Sequence, residues 1–203
     1  MLNKFLSGVC AGILIAVGGT VYLSCHNKYI GAVLFSVALL CICLKGYSLF
    51  TGKIGFIPEK HGREELSVLF LGLLGNAAAV FVCGIVLNIA LPALGEAATE
   101  ACSSKLCQPL YSSLVRSIFC GILMYLAVSI YRDRGKLIGV LFCIPVFILC
   151  GFEHSVADMF YFALAGKATL RTFAFLGTVL IGNSAGAMLL PVLGGKLKNE
   201  KQS

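Results

Sequence analysis

The sequence predicts an all-α membrane protein with six transmembrane helices, arranged as two three-helix halves that insert with opposite orientation. Composition is the first reason: 59% of the residues are hydrophobic and 12% are charged, whereas soluble domains typically carry about 25% charged residues. The second is length, because several apolar runs approach or exceed the ~20 residues that a helix needs to span a bilayer. The third is that glycine and polar residues interrupt the second apolar run of each half. We therefore expect one transmembrane channel domain over residues 1–203, with repeats at about 1–94 and 109–193.

The apolar runs fix the expected spans. The six spans are predicted at residues 5–24, 29–50, 66–94, 109–130, 137–164 and 170–193. The first run follows a lysine, as in a signal peptide, but it is longer than a usual signal core and ends without a small-x-small cleavage site. It is therefore interpreted as a retained span. Residues 95–108 are expected to form the longest polar connection, and residues 194–203 a basic polar tail.

The distribution of basic residues predicts cytoplasmic termini in a bacterial inner membrane. With both termini inside, the inner loops and tails hold nine basic residues: Lys4, Lys60, Arg63, Arg132, Arg134, Lys136, Lys196, Lys198 and Lys201. The outer loops hold four: Lys28, Lys105, Lys167 and Arg171. Cytoplasmic loops are enriched in Lys and Arg, so the asymmetry favours this orientation. The same topology signals explain the net charge of +7 without a nucleic-acid partner.

Residues 148–160 are the most informative stretch. Apolar sequence enters it from residue 137 and leaves it towards residue 164, yet it contains Gly151, Glu153, His154, Ser155 and Asp158. Irregular backbone is tolerated at membrane depth only where it is buried in protein or lines a wet cavity. Span 2 is interrupted in a similar way at residues 46–51, again by a glycine, an aromatic residue and a polar residue. Paired interruptions in inverted halves point to a site near the middle of the membrane.

Three stretches of the sequence are informative together: GFEHSVADMF at residues 151–160, LFTG at residues 49–52 and GNSAG at residues 182–186. They resemble the formate/nitrite transporter family, which includes hydrosulfide channels. The resemblance extends over nearly the whole chain. It implies an aquaporin-like monomer with its own pore, assembled as a homopentamer in the lipid bilayer. The implied substrates are small monovalent anions of weak acids, such as formate, nitrite or hydrosulfide.

The resemblance also implies roles for individual residues. Thr51 and His154 would meet at the pore centre, and Lys105 would be the vestibule lysine that attracts anions. The implied constrictions are Phe35 and Phe147 on the outer side and Leu39, Phe50 and Met124 on the inner side.

Four positions depart from the family pattern. Gly121 stands where the family has an asparagine in span 4, and Asp158 replaces an asparagine four residues after the histidine. Ser48 replaces a glutamate in span 2, and Lys45 adds a cation nearby. One carboxylate lost and one gained would shift the electric field along the pore.

The polar residues of the breaks have functional and structural interpretations. An imidazole titrates near physiological pH, and burial favours its neutral form. His154 can therefore pass a proton to an anion or hydrogen-bond that anion; otherwise it is a satisfied structural histidine. A neutral acid crosses an apolar constriction at much lower cost than its anion. Thr51 can contact the anion through its hydroxyl or cap the next half-helix. Glu153 and Asp158 are either partners of His154 in proton exchange or structural partners, and Lys105 is otherwise an ordinary loop lysine.

Together these features favour a channel or proton-coupled transporter for small monovalent weak-acid anions, formate or nitrite first. A hydrosulfide channel and a non-conducting scaffold or sensor of the same fold stay open as alternatives. An enzyme is not expected, because the sequence shows no activated nucleophile, phosphate loop or metal-ligand spacing; no cofactor or metal is implied. Most of the ten cysteines lie in spans, where they act as small hydrophobic residues. Cys102 and Cys107, in one predicted loop, are the pair that can form a disulfide in an oxidising compartment.

Overall fold

The computed structural model describes the backbone of residues 1–200 and the side chains of residues 1–195. Within that range every regular element is helical, which confirms the predicted all-α class. The helices are α1 (Leu2–Ser24), α2 (Lys28–Lys45), α3 (Phe50–Lys53), α4 (Arg63–Ala90), α5 (Pro92–Cys107), α6 (Leu110–Arg134), α7 (Ile138–Leu149), α8 (Ser155–Leu164) and α9 (Leu170–Glu200). A 3₁₀ turn at Ile54–Phe56 follows α3.

Five helices are long and apolar enough to cross a membrane: α1, α2, α4, α6 and α9. Helices α7 and α8, of 12 and 10 residues, follow each other across the interruption predicted in span 5. Many large apolar side chains point outwards, including Phe70, Ile89, Phe142 and Phe173, which are all more than 60% exposed. An apolar outer surface of this extent suits a lipid environment rather than water. The architecture is that of a multi-pass membrane protein.

The prediction of a polar loop at residues 95–108 is wrong, because this segment is helix α5. The preceding span ends at Ala90 rather than at residue 94, and Pro92 starts α5 at its first position. Proline is favoured there because the N–H that it lacks would have no partner in the first turn. The segment is also rich in alanine, a strong helix former. Cys102 is buried and Cys107 exposed on this helix, and both are free in the described structure.

Helix α9 passes the predicted end of span 6 at residue 193 and continues to Glu200. The predicted basic tail therefore begins on helical backbone. The side chains of Lys196 and Lys198 lie outside the described set, and Lys201 lies outside the described residues.

Small residues bring two pairs of long helices together, α1 with α4 and α6 with α9. Gly8 of α1 packs on Gly72 of α4, and Gly121 of α6 packs on the Asn183 carbonyl group of α9. A Cβ atom at position 8 or 121 would collide with the opposite backbone, so the asparagine expected at position 121 cannot be accommodated here. Close backbone approach through small residues is common between helices in lipid. These helix pairs carry the residues that hold the breaks in place.

Each interruption begins at a glycine with left-handed backbone. Gly46 ends α2 with a φ of 70°, and Gly151, just beyond α7, has a φ of 67°. Residues with a side chain rarely adopt this conformation, and glycine adopts it without a steric penalty. The chain then becomes extended at Leu49 and at His154, which are the N-cap residues of α3 and α8. The backbone therefore breaks twice inside the bundle.

Candidate functional site

Thr51 and His154 come from different breaks and contact each other inside the bundle. Thr51 Oγ1 lies 2.8 Å from His154 Nε2, and the two residues are only 1% and 3% exposed. Thr51 lies in the first turn of α3, and His154 caps α8. We call these two residues the central pair. Their side chains connect two segments that are 103 residues apart in the sequence.

The hydrogen bonds of His154 determine which ring nitrogen carries a proton. Nδ1 lies 3.1 Å from the backbone nitrogen of Ala157 and accepts its hydrogen bond. A backbone N–H can only donate, so Nδ1 presents a lone pair and the neutral ring carries its proton on Nε2. Nε2–H then donates to Thr51 Oγ1, and the threonine hydroxyl keeps its own hydrogen for another acceptor.

A buried asparagine holds the first break from the side of α4. Asn76 Oδ1 accepts a hydrogen bond from the backbone nitrogen of Phe50 at 2.9 Å. Its Nδ2 donates to the carbonyl oxygens of Ser48 at 2.9 Å and Gly8 at 2.8 Å. The amide thus binds both sides of the break as well as α1. Thr51, the residue after Phe50, is positioned by these bonds.

Asn183 of α9 makes an equivalent set of bonds at the second break. Its Oδ1 accepts from the backbone nitrogen of Ser155 at 2.8 Å. Its Nδ2 donates to the carbonyl oxygens of Glu153 at 2.8 Å and Ser117 at 2.9 Å. His154 lies between the two bonded residues of the break. Both members of the central pair are therefore placed by the same device, an asparagine that joins a break to two long helices.

Asn76 was not among the residues selected from the sequence, and Asn183 was expected, with Gly182 and Gly186, to serve helix packing in span 6. A signal was present, since the tetrapeptides GNAA at residues 75–78 and GNSA at residues 182–185 repeat each other in the third and sixth apolar runs. A buried amide in an apolar helix is unfavourable unless it is hydrogen-bonded. The repeat therefore indicates that both asparagines have buried polar partners.

Lys105 of α5 forms ion pairs with two carboxylates. Its Nζ lies 2.9 Å from Asp158 Oδ1 and also pairs with Glu153 Oε2. Each carboxylate side chain is 2% exposed, and that of Lys105 is 18% exposed. Asp158 Oδ2 is buried without a hydrogen-bond partner among the described residues. With all three groups ionised, the cluster has one positive and two negative charges.

A cavity of about 220 Å³ connects this cluster to His154. We call it the polar cavity, after the polar residues in its wall: Lys105, Gln108, Arg116, Glu153, His154 and Asp158. Phe35 and Phe147 form part of its apolar wall. The Phe147 ring stacks on the His154 imidazole with the centroids 5.8 Å apart, and it meets Phe35 edge-on at 6.4 Å. Both phenylalanines thus belong to the wall of the polar cavity, and Phe147 contacts the central pair through His154.

A second cavity, of about 260 Å³, lies farther along the same helices. It is lined mainly by α2, the first break and α6, including Leu39, Ile42, Cys43, Leu49, Gly52 and Val128. On α2, Leu39 comes one turn after Phe35 of the polar cavity. On α6, Val128 comes about three turns after Arg116, and the buried Met124 lies between them. His154 lines the first cavity, and Gly52, the residue after Thr51, lines the second.

Phe50 is not among the residues that line either of these two cavities. It packs with Ile54 and Ala187 in a separate apolar cluster and faces a shallow cavity between α4 and α9. Leu49, which is 1% exposed, lines the second cavity instead. Of the residues expected at the inner constriction, Leu39 lines the second cavity, Met124 is buried and Phe50 lies in the separate cluster.

Comparison with known proteins gives consistent results. Residues 1–194 of the chain match the sequence model of the formate/nitrite transporter family. Among its sequence relatives is a formate-nitrite transporter of Plasmodium knowlesi (strain H). The two are 27% identical over an alignment of 219 positions, gaps included, which covers 90% of this chain and 70% of that protein.

Two solved structures share the fold. One, described as an FNT family ion channel, superposes with a TM-score of 0.86 at 20% sequence identity. The match covers 97% of this chain and 90% of the chain of that channel. The other, described as a pentameric formate channel with formate bound, has a TM-score of 0.79 at 20% identity and covers 98% and 97% respectively.

Proposed function

Because the chain belongs to the formate/nitrite transporter family, we propose that it conducts small monovalent anions of weak acids, formate or nitrite first, through a pore at the central pair. The observation that carries the proposal is the bond between Thr51 and His154, which joins the two breaks; His154 lines the polar cavity and Gly52, next to Thr51, lines the second cavity. An anion loses hydration in so narrow a passage, and hydrogen-bond donors in the pore wall replace part of it. The central pair offers such donors from both breaks.

In this proposal, His154 acts as a neutral hydrogen-bond donor. An anion that arrives from the polar cavity accepts the bond from Nε2–H in place of Thr51, and the Thr51 hydroxyl turns to donate to the same anion. The bond from the Ala157 N–H to Nδ1 holds the ring in place. Proton coupling at this residue would require a proton on Nδ1 at some stage, and that proton would break the bond to Ala157. We therefore propose hydrogen bonding rather than proton relay as the role of His154.

Lys105 makes the polar cavity passable for an anion. Without its ammonium group, the Glu153 and Asp158 carboxylates would face the path unpaired, and a negative charge about 4 Å from another is repelled by about 4 kcal/mol near a protein surface. The ion pairs of Lys105 with both carboxylates offset that repulsion.

Apolar side chains complete the proposed path. Phe35 and Phe147 line the polar cavity, Leu39 lines the second cavity, and the buried Met124 lies one turn before Val128, which also lines the second cavity. Apolar constrictions of this kind restrict water and ions unless a polar group assists their passage. The barrier on either side of the central pair makes passage depend on its two donors.

We also propose a homopentamer in a bacterial inner membrane, with both termini cytoplasmic. One structural neighbour is a pentameric formate channel. The apolar outer surface supports contact with lipid and with further copies of the chain. The asymmetric distribution of basic residues between the two sides supports the orientation.

The test is anion flux into proteoliposomes that contain the folded oligomer, with formate, nitrite and hydrosulfide offered in turn. Wild type is expected to conduct one of them well above empty liposomes. His154→Ala, which removes the donor, is expected to lower that flux about tenfold or more, and His154→Asn, which keeps an N–H donor that cannot titrate, is expected to lose less of it.

Two outcomes count against the proposal. Equal loss in both variants would favour proton relay over hydrogen bonding. Absence of flux for every anion from verified oligomers would overturn transport and favour a scaffold or sensor.

A further inference from the structure

We propose that Arg116 and Gln108 form an anion-capture site in the wall of the polar cavity, one that favours planar anions with two oxygen acceptors over monatomic or single-centre anions. The proposal rests on the anion transport proposed above and narrows its substrate class. At this capture site, before an anion reaches the central pair, formate and nitrite would bind more tightly than hydrosulfide.

The balance of charge singles out Arg116. The polar cavity is lined by two cations, Lys105 and Arg116. The positive charge of Lys105 is balanced by two carboxylates, those of Glu153 and Asp158. Among the residues with described side chains, no carboxylate lies within ion-pair distance of Arg116. The positive charge that an incoming anion meets in this cavity is therefore that of the arginine.

The second break holds the Arg116 guanidinium in the cavity wall. One terminal nitrogen donates to the Gly151 carbonyl oxygen at 3.2 Å. Gly151 presents this carbonyl because its φ of 67° turns the backbone after α7. A guanidinium has five N–H donors in a planar fork, so one bond to the backbone leaves most of them available. The arginine is thus anchored at one nitrogen and free to bind an anion through others.

Gln108 adds an observation that points to a missing partner. It lines the same cavity, and its Oε1 is buried without a hydrogen-bond partner among the described residues. Buried side-chain polar atoms are nearly always paired. The oxygen and nitrogen of an amide are exchanged by a half-turn of the group, which would present the NH₂ group at this position. An anion bound beside Arg116 would then accept from both residues.

The shape of the donors sets the preferred ligand. Arginine binds two oxygens of one planar anion through parallel hydrogen bonds, whereas lysine acts as a point charge. Formate and nitrite each present two oxygens in one plane. Hydrosulfide has a single sulfur centre and gains only from the charge. Replacing arginine by lysine therefore separates recognition of shape from attraction by charge.

The experiment measures half-saturation and maximal flux for formate and hydrosulfide in proteoliposomes containing wild type, Arg116→Lys or Arg116→Gln. Arg116→Lys is expected to raise the formate half-saturation concentration about tenfold, the loss of one charge-assisted hydrogen bond, while the hydrosulfide value changes less than about twofold. Arg116→Gln is expected to raise both values, because the charge itself is lost. Gln108→Leu is expected to raise the half-saturation concentration for formate and to leave that for hydrosulfide unchanged.

The matched control is Arg134→Lys, which changes an exposed arginine in the last turn of the same helix. It is expected to leave the half-saturation concentrations of both anions unchanged. If Arg116 serves only to cap the broken backbone, its variants will lower oligomer stability without an anion-selective change in half-saturation, and the capture site is overturned. Equal shifts for formate and hydrosulfide in Arg116→Lys also contradict it. No flux in wild type is a different result, because it removes the proposed transport and this inference with it.

Discussion

Replacing Asn183 by leucine removes one of the two asparagines that hold the breaks, with little change in side-chain volume. Three bonds are lost: from the Ser155 N–H and to the carbonyls of Glu153 and Ser117. The buried Ser155 N–H and Glu153 carbonyl are left unpaired, at about 1–3 kcal/mol apiece, whereas the Ser117 carbonyl lies inside α6 and keeps its helical bond. Interhelical hydrogen bonds in membranes average nearer about 0.6 kcal/mol, because the unfolded chain in lipid finds other partners. The expected loss of stability is therefore about 2–6 kcal/mol.

The assay is the free energy of unfolding of the purified protein in mixed detergent–SDS micelles, followed by helical circular dichroism. Asn88→Leu is the matched control, since Asn88 makes one side-chain bond, to the Leu164 carbonyl, away from the breaks. Its expected effect is about a third of that of Asn183→Leu. Equal destabilisation by the two variants, or none by Asn183→Leu, would refute the assignment of Asn183 as the residue that holds the second break.

Three further predictions follow from the same structure. Asp158→Asn removes one negative charge from the Lys105 cluster and keeps the side-chain size, so the half-saturation concentration for formate should fall several-fold; a rise would show that the carboxylate assists the anion. Gly121→Ala places a methyl group against the Asn183 carbonyl, so it should lower the detergent melting temperature, whereas Gly177→Ala, which meets nothing nearby, should not. Met124→Ala removes a buried side chain from the proposed inner constriction, so flux of acetate relative to formate should increase; an unchanged ratio would exclude Met124 from the constriction.

The sequence predicted the membrane class and the position of both breaks because these depend on local signals. Long apolar runs and glycines such as Gly46 and Gly151 determine where helices can form and where they must turn. The prediction failed at residues 95–108, where polarity was interpreted as a loop. Polarity distinguishes water from lipid, but it does not distinguish a loop from a helix such as α5.

The site was only partly predictable. The places of Thr51 and His154 in the two breaks were visible in the sequence, but only the family resemblance implied that they meet. Their contact depends on how α3 and α8 pack, which periodicity cannot show. Phe50 was expected beside Thr51 in the pore, yet adjacent residues on a helix point in different directions, and its ring turns towards α9. Asn76 was missed although it repeats the pattern around Asn183, because an isolated amide in an apolar run does not reveal its partners.

The central claim is that Thr51 and His154 act together on one anion, and a double-mutant cycle of formate flux tests it most directly. Thr51→Val and His154→Ala, each in folded oligomers, are expected to lower formate flux about tenfold or more, the loss of one hydrogen bond to a charged group. Because both residues serve one bound anion, the double variant should be little worse than the more severe single variant. A double variant whose loss equals the product of the single losses, or single variants that conduct like wild type, would contradict a shared anion site at the pore centre.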